Sequence, residues 1–151
     1  MKGIFALKTP RDLFAKLESD FERVKRDPVD SYAAFDFCVS AWHLVDWKFP
    51  DAQDPARCAF LQRSPILRIC EHLAVGAKHF EPIRPSLKSV TGTEDTSVWQ
   101  HRAWKPGSWK PGAWAGELLI HLDGEAKKAF GDKITLPNLA EKVMSTWRAE
   151  L

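Results

Sequence analysis

Two short stretches carry residues able to do chemistry on what otherwise read as helical core segments: His43 and Asp46 in Ala-Trp-His-Leu-Val-Asp-Trp, and His72 and His79 in Ile-Cys-Glu-His-Leu-Ala-Val-Gly-Ala-Lys-His-Phe. Steps of four and three place Val39, His43 and Asp46 on one helical stripe, and steps of four, three and four do the same for Arg68, His72, Val75 and His79. Burying a polar group without a partner costs roughly 2–7 kcal/mol, so such stripes need something to satisfy them. If the two helices pack as antiparallel neighbours, His43 and Asp46 meet His72 or His79.

Three chemistries use those atoms. Neutral imidazole and carboxylate suit a divalent zinc, iron or manganese ion, with His43, Asp46, His72 and His79 as the candidate ligands. The chain lacks HExxH, a Glu-x-x-His pair and a Cys/His knuckle, so no cofactor is favoured and a divalent metal stays an open alternative. Without a metal, an imidazole that titrates near neutral pH acts as acid or base while Arg68 or Lys78 stabilises an anion. The third use is structural: a hydrogen-bonded His–Asp network that sets helix register.

A second feature is aromatic. Trp99, Trp104, Trp109 and Trp114 recur every five residues through two near-copies of Trp-Lys-Pro-Gly. Each Lys-Pro-Gly favours a type II turn, which predicts a loop of successive turns. With Arg102, Lys105 and Lys110 between them, the tryptophans suit stacking on nucleic-acid bases, glycans or a peptide. The competing reading, preferred here, has them cover the bundle or a partner chain.

The elements that must hold these residues are mostly helices. Thr9-Pro10 opens a first helix with Leu13, Phe14, Leu17, Phe21 and Val24 at helical spacing, and Pro28 closes it. A second is predicted from Asp30 or Ser31 to just before Pro50, with Tyr32, Phe35, Val39, Trp42 and Phe49 on one broad apolar face. Asp54-Pro55 begins a short third helix, and Ser64-Pro65 a fourth whose apolar stripe is Ile66, Ile69, Leu73, Ala77 and Phe80. Beyond Pro85 the helical period stops. Leu118–Leu122 reads as a strand turning at Asp123-Gly124, with Ala126–Phe130 as its return and His101 and His121 on the sheet surface. Leu136, Leu139, Ala140, Val143 and Trp147 predict a last helix. The fold class is therefore mainly α with a small β insertion (α+β): an antiparallel helical bundle, a β-hairpin or small sheet, and a C-terminal helix packing back.

With 151 residues, 44% of them hydrophobic and 28% charged, the chain is expected to be one domain with a real core. Its parts are the helical bundle (1–84), the Trp-rich loop and β insertion (85–133) and the C-terminal helix (134–151). A net charge of +2 is too mild to argue for nucleic acid on its own. Cys38, Cys58 and Cys70 are odd in number and lack CxxC spacing, so they read as reduced packing thiols in a cytoplasmic protein. The N-terminal apolar run is too short for a signal peptide, and no segment nears the roughly 18 apolar residues of a membrane span.

The stretch Leu73-Ala74-Val75-Gly76-Ala77-Lys78-His79-Phe80, late in a four-helix arrangement, resembles the motif region of HEPN domains. These are small helical bundles of bacterial defence and toxin systems, many of them metal-independent ribonucleases acting as dimers. Their motif is an arginine, often followed by a polar residue, then four to six residues and a histidine. His79 matches the histidine; Ala74 or a neighbour holds the arginine's place, and Arg68 with His72 is one residue closer than the motif. The resemblance implies RNA cleavage by His79 with His72, Arg68 or Lys78. The two motif stretches also look like an uncharacterised family of bacterial helical-bundle proteins.

The leading functional expectation is a cytoplasmic bacterial interaction or ligand-binding protein. In it the His43/Asp46 cluster is structural or ligand-binding, and Trp99, Trp104, Trp109, Trp114, Lys105 and Lys110 contact a protein partner or a second copy. A HEPN-like ribonuclease, with RNA as partner, is the alternative; a metal-binding bundle is the third. No membrane partner is expected.

Overall fold

A computed structural model describes residues 3–79, 87–96 and 116–151. Helix α1 is Pro10–Arg26, α2 Ser31–Lys48, α3 Pro55–Gln62 and α4 Pro65–Lys78; strand β1 is Val90–Asp95 and β2 Leu118–Leu122; α5 is Gly124–Phe130, β3 Lys133–Thr135 and α6 Leu136–Glu150. The class is mainly α with a small three-stranded antiparallel sheet ordered β1-β2-β3. Among the described residues, no helix is long and apolar enough to cross a membrane.

Local chemistry sets most helix starts. Thr9 and Asp12 form a reciprocal capping box, and the N–H groups of Lys8 and Thr9 and the Thr9 hydroxyl hold the Asp12 carboxyl below its usual pKa. Asp30 caps α2 through the N–H groups of Tyr32 and Ala33, and Asp54 caps α3 through Ala56. Proline occupies the first turn of α1, α3, α4 and α6, where its missing N–H costs nothing.

The core is continuous from Leu13 to Trp147. Helix α2 packs on both α1 and α4, and α6 returns against α1 and the sheet. Trp147, fully buried, tilts against Phe60, which in turn meets Phe49. A buried polar pair lies between α1 and α2: Ser40 Oγ donates to Asp20 Oδ2 at 2.7 Å, and Lys16 Nζ also reaches that carboxylate.

Three expectations need correction. Helix α2 buries Ala33, Phe37, Cys38, Ala41, Leu44 and Val45, whereas Tyr32 is 82% and Phe35 50% exposed. Because α2 sits between α1 and α4, its inward surface is wide and rotated from the aromatic stripe. Second, Asp123-Gly124 turns the chain into a helix, not a return strand. Asp123 Oδ1 accepts the Gly124 N–H, and Gly124, at φ 57°, brings its backbone so close to Lys88 O that a Cβ there would sit 3.1 Å from it. The Ala-Lys-Lys-Ala run favours helix, and β3 supplies the partner for β2 instead, pairing Ile120 with Ile134. Third, Cys58 is exposed, unlike the buried Cys38 and Cys70; all three are free thiols.

Candidate functional site

The two polar stripes do not converge. His43 is exposed, and among the described residues no three His, Cys, Asp or Glu side chains gather as a metal site. The reason is the rotation of α2: the face packed on α4 is apolar, and it turns His43 outward.

Asp46 joins a small cluster at the α2–α3 junction. Arg57 Nη2 donates to Asp46 Oδ1 at 2.8 Å and Nη1 to Phe49 O at 3.1 Å, while the guanidinium lies 5.5 Å from the Trp42 ring centroid. His43 Nδ1 lies 3.4 Å from Asp46 Oδ2 at the solvent edge. Arg57, whose side chain is only 11% exposed, is the cation that organises the cluster, and it lies on neither polar stripe. Its signal was cross-helix, 11 residues from Asp46, where helical periodicity is silent. The arrangement anchors α3 to α2.

The α4 residues also separate. Arg68 pairs with Glu71 at 2.7 Å. His72 Nδ1 accepts the Val90 backbone N–H at 3.1 Å, which requires the neutral ring with its proton on Nε2. Burial lowers the His72 pKa, and the nearby Glu71 charge partly opposes that shift. Lys78 and His79 are exposed at the end of α4, where the His79 N–H bonds Val75 O. His121 on β2 meets Glu94 on β1 at 3.2 Å. Trp99, His101, Arg102, Trp104, Lys105, Trp109, Lys110 and Trp114 lie outside the described residues, as does Phe80.

A concave site does occur elsewhere. A groove of about 330 Å³ runs between α2, α4 and the sheet, lined by Ala34, Phe35 and Cys38, by Leu73 and Ala77, and by Thr93–Asp95 with Leu118–Ile120. Two carboxylates, Glu94 and Asp95, lie in its wall, and among the described residues no Lys or Arg does. The volume is at the lower end of ordinary ligand sites, which run from about 300 to 1,000 Å³. Cys38 also lines the groove; interaction with the neighbouring Cys38 thiol and burial push the Cys70 thiol well above its usual pKa, so it stays protonated. Helical periodicity puts Phe35, Leu73 and Ala77 on apolar stripes. They are exposed or half-buried where they line the groove.

No protein-family model matches the chain, and neither the curated proteins nor the solved structures yield a match.

Proposed function

We propose that the protein is an interaction module that takes an apolar segment into the groove between α2, α4 and the sheet. The observation that carries this reading is the groove itself: an open, largely apolar cleft whose wall exposes Phe35 and Ala77. Binding here needs no metal and no titrating group. Three free thiols suit a reducing, cytoplasmic setting.

The test is uptake of Nile red, a neutral apolar dye. The parent protein should bind it with a rise and blue shift in emission. Ala77→Arg, a change at an exposed wall position, should weaken uptake about tenfold while leaving the melting temperature within a few degrees. Equal uptake by both proteins would remove the groove as the site.

A further inference from the structure

A second cavity, of about 430 Å³, opens where α5 ends, between β3 and the first turns of α6. Chain geometry gathers its lining. Lys133 and Thr135, two apart on β3, share one face of the sheet, and Asn138 and Lys142, four apart, share one face of α6. Gly131, at φ 89°, turns the chain from α5 back into β3 and so brings Phe130 and Lys133 to the same cavity. Leu119, the β2 partner of Thr135, adds an apolar wall. Apart from Leu119, the cavity shares no described lining residue with the apolar groove.

Two cations meet there. Among the described residues neither Lys133 nor Lys142 has a carboxylate partner, whereas Lys16, Lys25, Lys48 and Lys128 each pair with one. Asp132, the acid beside Lys133 in the chain, is taken by Lys127 at 2.9 Å. Lys142 Nζ lies 5.7 Å from the centroid of the Phe130 ring, a contact that positions the ammonium without cancelling its charge. Asn138 is exposed; its backbone N–H bonds Thr135 Oγ1, and its side-chain amide has no partner among the described residues. Glu117 is the carboxylate of the described lining. It limits the negative charge the cavity accepts, which disfavours polyphosphates and nucleic acid.

We propose that this cavity binds a small phosphate monoester with an apolar or aromatic body. Such a phosphate carries about −1.5 to −2 charge at pH 7, a match for two ammonium groups. Lys133 and Lys142 hold it as point charges, the Asn138 amide donates to one of its oxygens, and the body lies on Phe130 and Leu119. The volume suits a compact ligand, since ligand sites begin at about 300 Å³. The site is separate from the apolar groove, and neither reading rests on the other.

The experiment titrates phenyl phosphate into the isotope-labelled full chain at neutral pH and follows backbone amide shifts by NMR. The amides of Lys133, Thr135, Asn138 and Lys142 should shift saturably, and phenyl sulfate, with the same ring and a smaller charge, should bind at least about threefold more weakly. Lys133→Gln and Lys142→Gln, both at exposed positions, should keep the melting temperature within a few degrees and each weaken binding about tenfold, while Lys142→Arg retains it. Should a glutamine variant not fold, the comparison of the two ligands on the parent chain decides alone. Shifts confined to Leu73, Ala77 and their groove neighbours would put the ring in the apolar groove and overturn the proposal. Equal affinity for phenyl phosphate and phenyl sulfate would overturn it as well, as would the absence of any saturable shift. Inorganic phosphate binding as tightly as phenyl phosphate would overturn the apolar body of the ligand.

Discussion

His72 Nδ1 accepts the Val90 backbone N–H, so one side chain of α4 holds the start of the β1 edge 3.1 Å from its ring. This bond exists only with a neutral imidazole, and burial already favours that form. The folded-state pKa lies below the unfolded value of about 6.5, so between those two values the unfolded chain binds more protons. Stability is therefore full above about pH 6.5 and falls as the pH drops toward the folded-state pKa. Urea melts from pH 7.5 to 5 should show this loss, and His72→Gln, whose amide oxygen can accept the same N–H without titrating, should reduce it. An identical pH dependence in the variant would show that His72 is not its source.

Arg57 and His43 make opposite predictions although both approach Asp46. Arg57→Ala removes two hydrogen bonds and the contact with Trp42, and should cost about 1–3 kcal/mol of stability. Lysine should recover little of it, since it lacks the planar fork that reaches Asp46 and Phe49 O together. His43→Ala, at an exposed position, should change stability by no more than about 0.5 kcal/mol. Denaturant midpoints at pH 7 compare the three.

The buried Asp20 depends on Ser40. Ser40→Ala leaves the carboxylate without one of its donors inside the α1–α2 interface and should cost about 1–3 kcal/mol. The double variant with Asp20→Asn should be less destabilised than the two single costs added together, because the groups act as one unit. Additive costs in a double-mutant cycle would show that the pair is uncoupled.

Trp147 combines full burial with an indole Nε1–H that has no hydrogen-bond partner among the described residues. Trp147→Ala opens a cavity beside Phe60 and should lower the unfolding free energy by about 3–5 kcal/mol. Trp147→Phe keeps most of the ring volume and removes the orphan donor, so its loss should be clearly smaller. Calorimetric melts of the two variants order them.

Much of the chain was legible locally. The α1–α4 starts and the α6 helix follow from Thr9, Asp30, Asp54 and the first-turn prolines, because capping involves residues two or three apart. Likewise β2 was readable from Leu118–Leu122, a short apolar run ending in Asp-Gly. The candidate site was not legible in the same way. His43, Asp46, His72 and His79 were singled out as polar residues on apparently apolar faces, but a period of 3.6 residues says which positions share a face and not which face is covered.

Tertiary structure made that choice. Packing α2 between α1 and α4 turned Phe37, Ala41 and Leu44 inward, and with the same rotation sent His43, Tyr32 and Phe35 outward. The third strand came from Lys133–Thr135 in place of Ala126–Phe130, since a helix was the better local state for the Ala-Lys-Lys-Ala run once Gly124 had turned the chain. What the sequence determined by itself is where helices begin and that their side chains can fill a core. Which side chains meet, and that a groove stays open beside Thr93, depended on packing between elements distant in the chain.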